Sequence, residues 1–238
     1  VLNEVITIDR QAKQLTVRNL VTNETYLESY DKLLLSPGAS PIKPPLPGID
    51  SHFVHSLRNI PDMDKILSTL MLHKPKHATV VGGGFIGLEM VEALRHVGLE
   101  VSLLELADQV MGPVDLEMAN MLHQKLVDND VDLRLKTGLA AITECPIQLT
   151  ESDNTDDYDK PASPHFHLQL ALSDNTTLAT DLVILAIGVK PETSLASACG
   201  LELGLLGGIR VDDEMRTSDA DIFAVGDAIE TADFVTGN

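Results

Sequence analysis

The stretch Thr79-Val80-Val81-Gly82-Gly83-Gly84-Phe85-Ile86-Gly87-Leu88-Glu89 sets three glycines at the spacing Gly82-x-Gly84-x-x-Gly87, between an apolar run and a segment of helical periodicity. Glycines so placed can hold a diphosphate. Gly82 permits a tight turn, Gly84 lets a phosphate approach the backbone, and Gly87 lets the following helix pack closely on the strand. The free N–H groups at the start of that helix, with the positive end of its dipole, then face the anion. The next strand ends at Glu105, about twenty residues on, where a carboxylate can accept hydrogen bonds from the hydroxyls of an adenosine ribose. Glu105 repels a 2′-phosphate, and Leu106 and Ala107 supply no cation to hold one, so the pattern points to NAD(H) over NADP(H). The glycine spacing alone is a weak signal; the strand before it, the helix after it and the distal acid make it specific.

Three shorter signals accompany it. Glu89 lies five residues into the helix and reads either as a group facing the cofactor or as a solvated carboxylate. Ile187 and Gly188 close a second apolar strand, with Pro191 ending the turn. Beside the first strand in a parallel sheet, such an end falls where ligands bind; as a plain strand–turn–helix junction it binds nothing. Asp227 follows an apolar strand and Gly226, placed to cap the next helix or to hold a sugar-like hydroxyl. His165 and His167 share one face of a strand, and without a third ligand in view they make no metal site. Met111, Met118 and Met121 read as core filler. Cys145 and Cys199 show neither a CxxC nor a metal-ligand spacing, which fits ordinary small residues in a reducing cytoplasm.

The elements that must position these residues define an α/β chain. Residues 4–8, 14–20 and 25–29 read as strands of an antiparallel meander, and Leu33–Leu35 as a short buried strand. Residues 37–48 hold five prolines and two glycines and form an irregular connector, where the first domain boundary is set. A helix follows from Pro61 to about His73. Strands at 78–81, 101–104 and 131–135 then alternate with helices at 85–97 and 116–128, the latter capped by Asp115 with Leu116, Ala119, Leu122 and Leu126 on one face. That alternation implies a parallel sheet. Residues 151–164, with five acidic residues and two prolines, read as a solvated loop tip inside an antiparallel excursion. A strand at 182–187, a short helix at 192–199 and strands at 209–211 and 222–225 complete the chain.

Composition excludes several classes. Of 238 residues 44% are hydrophobic, enough for a packed core, while a net charge of −19, 3% aromatics and no Trp argue against a nucleic-acid surface. An anionic membrane is repelled likewise, and no run of 18 apolar residues exists to span one. The same charge repels a pyrophosphate, though salt screens it over about 8–10 Å, so local donors must hold the anion. The chain opens at Val1 in mid-pattern, without a Met, and reads as a piece of something longer.

Taken together, these segments resemble the pyridine nucleotide-disulfide oxidoreductase family. They are most similar to its CoA-disulfide reductase and NADH-dependent persulfide reductase branch, and the match covers nearly the whole chain in the family's order. Tyr30-Asp31-Lys32-Leu33-Leu34-Leu35-Ser36-Pro37-Gly38-Ala39 resembles the segment that closes over FAD. Leu185-Ala186-Ile187-Gly188-Val189-Lys190-Pro191-Glu192 resembles the turn bordering the nicotinamide, and Thr217-Ser218 through Asp227 the second FAD motif. Asp233-Phe234-Val235-Thr236-Gly237 points to the CoA-disulfide and persulfide branch. The resemblance implies a Rossmann-like NAD(H)-binding domain at 49–190, flanked by pieces of a FAD-binding domain at 1–48 and 191–238. It implies that Phe85, Ile86, Glu89 and Glu105 contact NADH, that Ile187 and Gly188 border the nicotinamide, and that Asp227 contacts FAD. In such a flavoprotein, hydride passes from NADH to the flavin and electrons pass on to a cysteine and a disulfide, persulfide or polysulfide. The family's first FAD fingerprint, its redox cysteine and its dimerisation domain have no counterpart in the sequence, so no residue is assigned a catalytic role and the piece alone is expected to be inactive. An NADH oxidase or peroxidase of the same family, and a nucleotide-binding module without chemistry, are the rival readings.

Overall fold

The computed structural model describes residues 2–145 and 168–231. The acidic stretch 151–164, the histidine pair at 165 and 167, and residues 233–237 lie outside them. The chain divides into two compact units, one of residues 41–188 and one of residues 1–40 with 189–238.

The second of these opens with β1 (Asn3–Asp9), β2 (Gln14–Asn19) and β3 (Thr25–Ser29), an antiparallel meander in that order. Lys13, with φ of 51°, turns the chain between the first two. β4 (Leu33–Leu35) follows, and β5 (Ala39–Pro41) leads out of the unit.

In the unit 41–188, β6 (Val54–Ser56) precedes α1 (Ile60–His73), whose first turn carries Pro61 and is capped by Asn59 accepting from the Asp62 N–H at 3.0 Å. β7 (His77–Val81), α2 (Phe85–His96), β8 (Glu100–Leu104), α3 (Leu116–Asp128) and β9 (Val131–Arg134) then alternate. β10 (Leu139–Glu144), β11 (Leu168–Leu172) and β12 (Thr177–Thr180) form an antiparallel sheet, and β13 (Leu182–Leu185) returns to the centre. The parallel sheet runs β6-β13-β7-β8-β9. The central strand β13 is continuously apolar and buried throughout, and along the inner strands successive residues serve opposite layers. Ala78, Val80, Val101, Leu103, Leu182 and Ile184 pack with Ile66 of α1 and Met90, Val91 and Leu94 of α2. Val81, Leu104, Val183 and Leu185 pack with Ile142, Leu168, Leu170 and Leu172 of the antiparallel sheet. The unit is therefore α/β, with helices on one face of a parallel sheet and the antiparallel excursion on the other.

After β14 (Val189–Pro191), the remaining chain adds α4 (Ser194–Ala198), β15 (Ile209–Arg210), β16 (Ile222–Ala224) and β17 (Ile229–Glu230). β16 pairs in parallel with β4, and β15 with β17. Ile8, Ala196, Leu201, Ile209, Ile222, Ala224 and Ala228 make this unit's core.

Several local expectations need correction. β4 forms, but Leu34 is 59% exposed, because a two-stranded sheet covers only part of the apolar run. Met118, Met121 and Leu116 stand on the exposed side of α3, so only Met111 of the three methionines serves as core. Asp115 precedes α3, yet its carbonyl and not its side chain takes the helix's first N–H groups. The proline-rich segment is irregular but not free: Ile142 donates its N–H to Pro47 at 2.9 Å, and Leu46 and Ile49 join the core beside the antiparallel sheet. By compactness the units part at 40/41 and 188/189, beside the 48/49 bound set from the proline-rich connector and the 190/191 bound that the resemblance implies.

Burial holds the imidazoles of His55 and His77 below their ordinary 6.5. His55 Nε2 lies 3.0 Å from the Thr69 hydroxyl, and His77 Nε2 lies 3.0 Å from that of Ser102. The unfolded chain takes up these protons first, so their contribution to stability is whole above about pH 6.5 and is lost as the pH falls toward the lowered folded values. A thermal melt series from pH 7 to pH 5 should show a falling midpoint. The fall should be shallower in His77→Gln, which keeps a donor toward Ser102; an equal slope would show that His77 carries no such linkage.

Candidate functional site

The strand order places β8 and β9 on one side of β7 and β13 on the other. The chain thus switches direction at the carboxyl ends of β7 and β13, where open parallel sheets bind ligands. Gly82 continues β7 with φ of 107°, a conformation other residues resist. A Cβ there would stand 2.4 Å from the Ala186 carbonyl oxygen and 3.0 Å from the Ile187 nitrogen, so the end of β13 lies directly against the turn. At Gly87 a Cβ would come within 1.8 Å of the Gly82 carbonyl oxygen; at this point helix and strand touch through backbone. Gly84 is different. A Cβ on it would meet no heavy atom within 4 Å, and its backbone is extended, with φ of −80° and ψ of −170°. It opens on free space at the mouth of α2.

The first intrahelical bond of α2 runs from the Leu88 N–H to the Gly84 carbonyl at 3.0 Å. The N–H groups before it have no intrahelical acceptor, and no side chain caps them. A row of amide donors beside an open glycine is what a diphosphate requires.

Glu105 closes the other side. Its Oε2 accepts from the Gly83 N–H at 2.6 Å and its Oε1 from the Ala107 N–H at 2.7 Å. A carboxylate has about four lone-pair sites, so each oxygen keeps capacity for a ribose hydroxyl. The part played by Gly83 escapes the fingerprint, which leaves that position open. A Cβ there would meet Val110 Cγ1 at 2.9 Å and Glu105 Oε2 at 3.1 Å.

Phe85 and Ile86 project from the first turn of α2 into solvent, Phe85 at 65% exposure, and Glu89 is exposed one turn further on. Ile187 is partly exposed, and Gly188, with φ of 116°, gives its carbonyl to the Ile42 N–H at 3.0 Å. Gly82, Gly84, Gly87, Glu105, Ile187 and Gly188 thus converge at one end of one sheet. Asp227 belongs to the other unit, in a single 3₁₀ turn, Gly226–Ala228, directly after β16. Its side chain caps no helix and is exposed, with no partner among the described residues. Cys199, in the same unit, gives its thiol proton to the Ala196 carbonyl at 3.3 Å, and burial pushes its pKa up, which makes it a poor nucleophile. No group of three or more metal-ligating side chains occurs among the described residues, and none of their helices is long and apolar enough to cross a membrane.

A parallel sheet with an open glycine turn at its switch point and a carboxylate at the neighbouring strand tip defines the class of dinucleotide-binding α/β domains. Residues 1–237 match the model of the family described as pyridine nucleotide-disulphide oxidoreductase, and the chain belongs to that family. It is 33% identical over 94% of its length to the large subunit of a nitrite reductase [NAD(P)H] of Klebsiella oxytoca, of which it covers 21%. It is 32% identical over its full length to an NADH oxidase of Methanocaldococcus jannaschii, of which it covers 49%. The chain thus spans half or less of the curated relatives it matches. Among solved structures, reduced CoADR-RHD of Bacillus anthracis superposes with a TM-score of 0.87 at 46% identity, over 100% of this chain and 39% of that one. A NAD-dependent persulfide reductase of A. fulgidus gives 0.85 at 31%, over 99% and 40%. The water-forming NADH oxidase of Lactobacillus brevis bound to NADH gives 0.82 at 30%, over 99% and 48%. Its engineered NADPH oxidase form, bound to NADPH, gives 0.85 at 30% with the same coverage.

The glycines separate folding from binding. Gly82→Ala should destabilise the chain by about 1–3 kcal/mol in urea melts, since the added methyl meets backbone in a conformation alanine resists. Gly84→Ala should stay within about 0.5 kcal/mol of the parent. Equal losses would mean that Gly84 is a structural glycine like its neighbour.

Proposed function

We propose that this chain is the NAD(H)-binding portion of a FAD-dependent pyridine nucleotide-disulphide oxidoreductase acting on CoA disulfide, a persulfide or a polysulfide. Residues 41–188 hold the dinucleotide, and the unit of residues 1–40 and 189–238 is part of a FAD-binding domain. The observation that carries this reading is the pair formed by the open backbone at Gly84 and the doubly tied Glu105, which offers amide donors to a diphosphate and acceptors to a ribose. The NADH-bound structure of a similar protein supports it.

In this reading the amides of Gly84, Phe85 and Ile86 bind the diphosphate. Glu105 orients the adenosine ribose, Glu89 faces the nicotinamide half, and Ile187 and Gly188 border the nicotinamide ring. The exposed apolar groups of Phe85, Ile86 and Ile187 exclude water around the ring, and Asp227, unpartnered at the end of β16, holds the ribityl or pyrophosphate end of FAD. Bound NADH supplies the hydride. What the chain's residues contribute is placement, which can account for several kcal/mol of a barrier. The site also fits an NADH oxidase, a reading favoured by the match of this chain to 49% of one, and the choice of acceptor rests on residues outside those described.

NADH titrated into the purified chain should bind more tightly than NADPH, and Gly84→Ala should bind neither while melting normally. Glu105→Arg should weaken NADH at least about tenfold and shift preference toward NADPH. The engineered relative reached NADPH through five substitutions that include the loss of an aspartate and the gain of two arginines. An unchanged preference would remove Glu105 from the ribose site. A colourless preparation without CoA-disulfide reductase activity is expected; a yellow, active one would overturn this division of labour between the two units.

A further inference from the structure

We infer that His123 is a positioning residue for the dinucleotide site, acting from α3 through the segment Gln109–Val114 on the glycine turn. The inference rests on the NAD(H) reading above and concerns how the turn is held. Between Glu105 and α3 the chain runs through an irregular segment that packs behind the turn. The Met111 N–H donates to the Gly83 carbonyl at 2.8 Å, and the Val110 N–H donates to His123 Nε2 at 3.1 Å. Gly83 is thereby fixed on both sides, its N–H by Glu105 and its carbonyl by Met111.

Three further observations mark this backing as built. Val110 is fully buried, and its Cγ1 would lie 2.9 Å from a Cβ on Gly83, so side chain and turn are matched in shape. Met111 is held at φ of 51°, a left-handed conformation that a non-glycine residue keeps only where its surroundings impose it. The Gln109 side chain donates to the Val114 carbonyl at 2.8 Å, and the Val114 N–H donates to the Met111 carbonyl at 2.9 Å, which closes the segment on itself. Within this arrangement the buried Val110 N–H finds its acceptor in a side chain, that of His123. An imidazole nitrogen accepts only when it carries no proton, so the ring's own proton sits on Nδ1. Removing the acceptor leaves a buried donor unpaired, and relief comes by movement of residues 109–112 away from Gly83.

Two substitutions separate this role from general support of α3. In His123→Gln the amide oxygen reaches the place of Nε2; in His123→Asn it stops near the place of Nδ1. Both keep a polar side chain on the helix. NADH titrations should show the asparagine variant binding about tenfold more weakly than the parent, and the glutamine variant within about threefold of it. Amide hydrogen exchange at Val110 and Met111 should quicken in the asparagine variant and remain near the parent's in the glutamine variant. If asparagine abolishes the cooperative melt, His123→Leu, a better helix former, takes its place in the comparison. The role is overturned if the non-reaching variant binds NADH as tightly as the parent, or if glutamine fares as badly as asparagine. Should the parent itself leave NADH unbound, the cofactor reading fails and this one with it; parent binding with indifferent variants removes His123 alone.

Discussion

The carboxylate of Glu105 is tied to two backbone N–H groups, those of Gly83 in the turn after β7 and of Ala107 beyond the tip of β8. Two loops that leave neighbouring parallel strands are thereby held at a fixed spacing by one side chain. Charge-assisted bonds of this length are among the stronger ones available to a protein, and they act where no regular structure constrains the chain. The same two oxygens face the place where an adenosine ribose is proposed to sit. On that proposal recognition and architecture share one residue, and a substitution made to alter cofactor choice also removes the tie on the glycine turn.

The tie sits on strands that are packed from both faces. The parallel sheet is covered on one face by α1 and α2 and on the other by the antiparallel strands β10–β12, and its inward residues are almost all fully buried. Close packing of that kind leaves little freedom at the strand ends. Gly87 carries this packing into the first turn of α2, where helix and glycine turn meet through backbone. The layers thus determine where the mouth of α2 points.

The turn was legible in the sequence because its causes are local. The apolar run, the spacing of Gly82, Gly84 and Gly87, and the helical period after them all fall within a dozen residues. Glu105 could be read as well, because strand–helix–strand units have a nearly constant length. The backing of the turn could not be, for it joins residues 83, 110 and 123 through an irregular segment whose course no pattern announces. β6 leaves no such mark in the sequence, because three residues of mixed character cannot display a period. The exposure of Leu34 and Met118 is not legible for another reason: apolar patterning shows that a residue can be buried, and only the surrounding elements decide whether it is.

The glycine turn is already held on both sides of Gly83 by the protein's own bonds, with no ligand taking part. Little conformational order then has to be imposed at the moment of encounter, so the proposed dinucleotide would meet a seat already formed, and its capture would be governed by diffusion and charge. On that proposal, differences among nucleotides would express themselves in residence time: the wrong cofactor would arrive as readily as the right one and leave sooner.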